Sequence, residues 1–370
     1  MSGSTAADAI PTGRSQSLAA MAPPILALAG VAISIVSGLR TLAVTLPDVL
    51  SAFPGAPYAL DGNRQLVIAS VVLGGGDPYS VPGNLYPPPG AWLLAPLSPL
   101  GPEAGLWAWF AIKVAIAVAC VLDATHGRPP WLRILALGYA GTFLGVQDDL
   151  FLGNVSILLA AAIYLAVSRD RQWAAIPLGI CLALVAKPFL VPVVLWFLVY
   201  RRRSAAAMVG TAVVVTLVAA VLMGPGSYLE YVDALRAATG MDLRYGDGLA
   251  ALAPPLLIPA SVVLGLVFLG LLWKSRDDSS VLLWSLLVGL VAAPYVVQYS
   301  VVPVLAAVPF FARVHPTRTL VLAAVAAPLL PFSIMAATAV ALAVAFPTDL
   351  LARFPIPGRP QPVSADSPSV

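Results

Sequence analysis

Residues 61–90 read DGNRQLVIASVVLGGGDPYSVPGNLYPPPG, and they follow the first long apolar stretch of the chain. The segment opens with the carboxylate of Asp61 and contains a second acid, Asp77, among glycines, prolines and tyrosines. Almost everything around it is compatible with hydrocarbon. Ionisable residues in such a chain indicate function rather than solubility. The pattern therefore predicts a loop on one face of a membrane in which chemistry is carried out.

Composition defines the class of protein. Of the 370 residues, 60% are hydrophobic and only 10% are charged, and the mean hydropathy is +0.92. Soluble domains carry about 25% charged residues. The apolar runs therefore predict an all-α polytopic membrane protein, a bundle of about 10–12 transmembrane helices. A formal net charge of only +3 gives no reason to expect nucleic acid as a partner.

Charge predicts the orientation of these spans. Basic residues fall mainly on one side of the alternating spans and acidic residues on the other, so the basic side is expected to be cytoplasmic. This predicts a plasma-membrane protein with two long outer loops, residues 46–102 and 224–248, the first containing short interfacial helices. A transmembrane domain of residues 19–350 would lie between disordered cytoplasmic termini, residues 1–18 and 351–370.

The first outer loop has a readable local pattern. The residues from Gln65 to Leu73 are nearly all apolar, which predicts a short interfacial helix. Three glycines at 74–76 are expected to end it, because glycine tolerates left-handed geometry. A loop whose acids are merely solvated fits the same residues, so the pattern alone leaves both interpretations open.

The loop resembles the first outer loop of glycosyltransferase family 87, the polyprenol-phosphate-dependent mannosyltransferases of the GT-C class. In that family an Asp after the first span precedes an Ala-rich run, a Gly-x-Asp-x-Tyr turn and Tyr-Pro-Pro. The matching residues here are Asp61, Ala69, Gly75, Asp77, Tyr79, Tyr86, Pro87 and Pro88. Weaker matches follow in the same order at Gly153–Ser156, at Lys187-Pro188 and at Ala293–Tyr295 with Gln298 and Tyr299. The histidine that relatives often carry near these last two positions is missing.

The resemblance implies a GT-C-like bundle and an inverting transfer of a sugar, most often mannose in this family. The donor would be a polyprenyl-phosphate sugar, and the acceptor an envelope glycolipid or polysaccharide on the outer face. Asp61 would be the general base, and no cofactor or metal is required, because a lipid phosphate leaves readily. Residues implied in binding the substrates or the donor phosphate are Arg64, Lys187, Arg236, Arg244, Asp77, Tyr79, Tyr86, Gln298 and Tyr299.

Other interpretations stay open. Arabinofuranose from a decaprenyl-phosphate donor is the nearest related chemistry, and a catalytically inactive scaffold is a further possibility. A transporter or lipid flippase would also have many spans, but transporters place essential charges near the bilayer midplane. Here the acids concentrate in outer loops, with Lys113 as the main exception. Asp148 and Asp149 could bind a divalent metal, although such a pair is more often a solvated helix end. Arg201–Arg203 are expected to contact anionic membrane lipids.

Overall fold

The computed structural model describes residues 13–52, 59–185, 187, 190–238 and 247–351. Within these ranges the regular structure is entirely helical, with no strand, which confirms the predicted all-α class. The α-helices are α1 Gly13–Ala52, α2 Leu60–Leu73, α3 Pro102–Ala124, α4 Pro130–Thr142, α5 Leu144–Leu152, α6 Ser156–Ser168, α7 Ile176–Val185, α8 Val191–Tyr200, α9 Arg202–Met223, α10 Gly226–Ala238, α11 Leu249–Leu252, α12 Pro254–Lys274, α13 Asp278–Ala292, α14 Val302–Leu305, α15 Val308–Val314, α16 Pro316–Val321, α17 Ala327–Leu329, α18 Ile334–Val344 and α19 Thr348–Leu351.

Short 3₁₀ turns and one π-helical segment complete the chain. The 3₁₀ turns are Pro78–Ser80, Pro88–Trp92, Ala95–Leu100, Gln172–Ala175 and Gln298–Val301, and the π-helix is Leu322–Ala326. Arg244, predicted to bind the donor phosphate, lies outside the described residues. So do most of the two termini that the sequence predicts to be disordered, although α1 already begins at Gly13.

Four of the described helices are long and apolar enough to cross a membrane: Pro24–Pro47 within α1, α3, α9 and α12. Six shorter apolar stretches accompany them: Ser156–Ser168, Gln172–Val185, Val191–Tyr200, Asp278–Ala292, Pro316–Leu329 and Ile334–Val344. The chain is therefore a polytopic membrane protein. Fewer helices reach spanning length than the predicted 10–12, in part because prolines open new helices at α14, α15 and α16, where a missing N–H costs nothing.

The centre of the bundle is α13, which is buried from Ser279 to Val291. It packs against α8 and α12 within the largest apolar cluster. A helix that is apolar on every side belongs in the interior, and α13 satisfies that rule. At its N-terminal end, the Trp196 indole donates a hydrogen bond to the Asp278 carbonyl at 2.8 Å.

A second, smaller apolar cluster positions the polar site. Leu66 and Ala69 of α2 meet Leu106 and Trp109 of α3, together with Val155 at the start of α6. This contact anchors the helix that carries Asp61 against the long helices.

The predicted helix of the first loop is confirmed, with one change at its start. Helix α2 begins at Leu60, so Asp61 lies in its first turn rather than before it. The helix ends at Leu73, and Gly75 adopts φ of 77°, the left-handed geometry expected of the glycine run. The Asp77 carboxylate then accepts a hydrogen bond from the Tyr79 amide at 2.8 Å, which opens the next 3₁₀ turn.

Candidate active site

Asp61 projects from the first turn of α2, where the positive end of the helix dipole favours a carboxylate. Its Oδ2 accepts a hydrogen bond from Nδ2 of Asn154 at 2.8 Å. Its Oδ1 lies 3.7 Å from a guanidinium nitrogen of Arg64, one turn later. The side chain of Asp61 is 25% exposed, so the carboxylate is held in place and still reachable.

Two glycines bring Asp61 and Asn154 together. Gly62 and Gly153 pack backbone to backbone, and a β-carbon added to Gly153 would lie 2.7 Å from the Gly62 Cα. Gly153 also has φ of 78°, which few other residues tolerate. The start of α2 can therefore approach the turn between α5 and α6 closely enough for the Asp61–Asn154 hydrogen bond.

The amide of Asn154 links the carboxylate to a cation. Its Oδ1 accepts from the Val155 amide at 2.8 Å and lies 3.4 Å from Nζ of Lys187. Because these contacts assign the oxygen, the nitrogen is the atom left to donate to Asp61. One side chain thus joins the predicted base to a predicted phosphate-binding lysine.

Lys187 lies between α7 and α8, beside Asn154. Its Nζ is 3.5 Å from the Ser156 hydroxyl and 5.4 Å from the centroid of the Tyr299 ring, a cation–π distance. Burial lowers the pKa of Lys187 to about 8, and the negative charges of Asp149 and Asp61 act in the opposite direction. We call Asp61, Asn154, Ser156, Lys187 and Tyr299 the Asp61 cluster.

Asp149 and Lys113 form a buried ion pair behind this cluster. The carboxylate and the ammonium lie 3.0 Å apart, and both side chains are 0% exposed. The other carboxylate oxygen accepts from the Ser156 amide at 2.6 Å, at the start of α6. The expectation of a solvated acidic pair is therefore wrong for Asp149. Its neighbours are a lysine, which neutralises it, and a helix N-terminus, which attracts it.

Two further tyrosines, Tyr86 and Tyr295, and the acid Asp148 lie close enough to the Asp61 cluster to interact electrostatically with its charges or with Asp149. Burial, followed by the charge of Asp61, raises the pKa of Tyr86, Tyr295 and Tyr299. Burial, followed by the charge of Asp149, raises the pKa of Asp148 to about 6. The Gln298–Val301 turn packs closely on α5, because Gly145 leaves room for the carbonyl of Gln298. The predicted motif residues Gln298 and Tyr299 are thereby brought to the same end of the bundle as Asp61.

Other predicted binding residues have structural partners near the Pro78–Ser80 turn and in α10. The Tyr79 hydroxyl donates to the Tyr86 carbonyl at 3.0 Å, and its ring lies 6.2 Å from that of Tyr231 in α10. The exposed Arg236 pairs with Asp233 on α10 at 3.0 Å. Asp77 caps a turn. The Tyr79–Tyr231 contact joins the Pro78–Ser80 turn to α10, and the roles of these residues in binding stay predictions.

Sequence reasoning missed the roles of Asn154 and Asp149 and the function of Lys113. Lys113 did stand out as a charge within an apolar span. Its partner lies 36 positions away in sequence, and no local pattern connects the two. For Asn154 the signal was the weak motif at Gly153–Ser156, which gives no indication of a contact with Asp61.

A carboxylate and a lysine joined by an amide, at one end of an all-α membrane bundle, define an integral membrane protein with an enzyme-like polar site. The family model of glycosyltransferase family 87 matches residues 84–329, more than half of the chain. The protein therefore belongs to glycosyltransferase family 87 and is a membrane glycosyltransferase. The match includes Asn154, Lys187 and Tyr299 and begins after Asp61. Neither the curated proteins nor the solved structures gave a match.

Proposed function

We propose that the protein transfers a sugar from a polyprenyl-phosphate donor to a hydroxyl of an envelope glycolipid or polysaccharide. Mannose is the favoured sugar, and the reaction would take place on the extracytoplasmic face of the plasma membrane within a GT-C-like bundle. Family membership supports glycosyl transfer in a membrane. The observation that carries the finer proposal is the Asp61 carboxylate, joined through Asn154 to the cation of Lys187.

In this reaction Asp61 accepts the proton of the acceptor hydroxyl as the hydroxyl oxygen attacks the anomeric carbon. The bond between that carbon and the phosphate oxygen breaks, and the polyprenyl phosphate leaves with the electron pair. Attack from the face opposite the phosphate inverts the anomeric configuration. Asp61 ends the step protonated, and its proton passes to solvent.

Positive charge is needed where the phosphate leaves. Lys187 is held beside Asn154 and Tyr299, and Arg64 lies one turn from Asp61. Both are proposed to bind the donor phosphate and to stabilise the charge that develops on it. With these two cations, the proposed reaction has no step that requires a metal ion or cofactor.

The test uses membranes that contain the protein and their endogenous acceptors. Wild type is expected to transfer label from polyprenyl-phosphate mannose, and the Asp61→Asn variant to lose about 10²–10⁴-fold of that rate, the usual contribution of a general base. Glu103→Gln serves as control, since Glu103 is an exposed acid in the first turn of α3. Equal incorporation by wild type and Asp61→Asn would rule out the role of Asp61. If label is incorporated only from decaprenyl-phosphate arabinofuranose, the transferred sugar is arabinofuranose and not mannose.

A further inference from the structure

Gln65 is an unusual residue of α2, because its side-chain amide is buried and unpaired. The residue is 2% exposed, and neither its Nε2 nor its Oε1 has a hydrogen-bond partner among the described residues. Among the described residues, four other side chains have a buried polar atom without a partner, and each has a single one: Arg133, Gln147, Ser168 and Ser261. A buried amide without partners destabilises a protein, so its presence requires an explanation.

The position of Gln65 points to the active site. Residues four apart share a face of a helix, so Gln65 lies on the same stripe of α2 as Asp61. Further along this stripe, Ile68 and Val72 pack against Ala91 in the Pro88–Trp92 turn. The stripe thus faces the segment that follows Tyr86, whose pKa is raised in part by Asp61. The adjacent stripe, with Leu66 and Ala69, faces α3 instead.

We propose that Gln65 binds a sugar hydroxyl beside Asp61 during transfer, an inference that rests on the proposed function. A side-chain amide offers both a donor and an acceptor, which suits a hydroxyl, whereas the cations Lys187 and Arg64 suit the phosphate. The hydroxyl belongs either to the acceptor, which brings the attacking group to Asp61, or to the sugar of the donor.

The first measurement is the thermal unfolding of the purified protein in detergent. Gln65→Met keeps the volume of the side chain and removes the unpaired amide, so its Tm is expected to equal or exceed that of wild type. Gln147→Met is the matched control. Its amide donates to the carbonyls of Gly38 at 3.3 Å and Gly141 at 3.1 Å, so this variant is expected to unfold at a lower temperature. A fall in Tm for Gln65→Met as large as that of the control would overturn the inference, because it would show a paired amide.

The second measurement is transfer from polyprenyl-phosphate mannose to endogenous acceptor lipid. Gln65→Met is expected to lower kcat/KM at least about tenfold, although the fold is intact. A rise in KM for the acceptor alone assigns the hydroxyl to the acceptor, and a rise for the donor alone assigns it to the donor sugar. Unchanged kinetics would mean that Gln65 binds only water and would overturn the proposal.

The two ideas can fail separately. If wild type transfers no sugar from any donor, the proposed function falls. Gln65 is then judged by the rise in Tm that saturating polyprenyl-phosphate mannose and extracted acceptor lipid each produce. A rise with either ligand in wild type that Gln65→Met loses supports sugar binding at this residue, and equal rises in both forms with each ligand, or none in either form, contradict it.

Discussion

Asn154 connects Asp61 to Lys187 within the Asp61 cluster. Replacing it by Leu removes the hydrogen bond to Asp61 and the contact with Lys187. Hydrogen bonds to charged groups contribute about 1.5–3 kcal/mol, so Asn154→Leu is expected to lower kcat by roughly 10–100-fold. Asn154→Asp should lower it further, since it sets a second carboxylate against Asp61. Steady-state kinetics with labelled donor measure both, and full activity of the Leu variant would contradict this role.

Lys187 gives the reaction an alkaline limit. Burial lowers its pKa to about 8, so the ammonium is present below that pH and is lost as the pH rises through it. Because kcat/KM reports ionisations of the free enzyme, kcat/KM for the donor is expected to fall above a pH of about 8. In Lys187→Arg the guanidinium stays charged, and the alkaline fall should disappear. A fall that persists in the Arg variant would assign the ionisation to another group.

At the residue scale, the sequence was informative wherever a charge interrupts apolar surroundings. Asp61 and Lys187 could both be singled out in this way, and the structure places them in one cluster. Asn154 and Gln65 could not, because neutral amides are common and their importance depends on the atoms nearby. Asp149 was misread for a related reason. Its partner Lys113 belongs to another helix, and burial is a property of the packed bundle.

At the scale of helices, the site depends on the contact of α2 with the α5–α6 turn. Gly153→Ala would drive a β-carbon to 2.7 Å from Gly62 at a position with φ of 78°. Overpacking and left-handed backbone together cost roughly 2–4 kcal/mol, so a lower Tm and weaker transfer are expected. Gly127→Ala is the control, since it has φ of 75° but open space around the new atom. It should show the backbone effect alone, and equal losses in both variants would mean that the close approach is unimportant.

The sequence predicted where α2 ends better than it predicted how many helices are long enough to span a membrane. The end of α2 at the glycine run was predictable, because left-handed backbone there requires glycine. The number of long spans was not. Hydropathy counts apolar residues, and it does not show where a short break such as that at Phe143, between α4 and α5, divides them.

At the scale of the whole molecule, α9 runs from one end of the bundle to the other. Helix α9 has 22 residues from Arg202 to Met223, about 33 Å at 1.5 Å per residue. Its far end lies beside the first loop, where the Trp92 indole contacts the Met223 sulfur at 3.2 Å. Arg202 is therefore at the opposite end of the bundle from this loop.

That separation allows the orientation to be tested. In a variant lacking Cys120 and Cys181, a cysteine at the exposed Ser80 position is expected to react with an impermeant maleimide on intact cells. A cysteine at the exposed Arg202 position should react only after the membrane is opened, because basic ends face the cytoplasm. The reverse labelling pattern would place the Asp61 cluster on the cytoplasmic face and exclude an extracytoplasmic reaction.

The buried pair of Lys113 and Asp149 also has a consequence for synthesis. Lys113 leaves the ribosome 36 residues before its partner, roughly 2–7 seconds at about 5–20 residues per second. During that interval α3 must enter the membrane with an uncompensated lysine, which costs about 2.5–3.5 kcal/mol near a helix centre. The apolar remainder of α3 has to outweigh this cost until α5 is made and supplies Asp149. The pairing of Lys113 with Asp149 therefore neutralises a charge that was already in the bilayer.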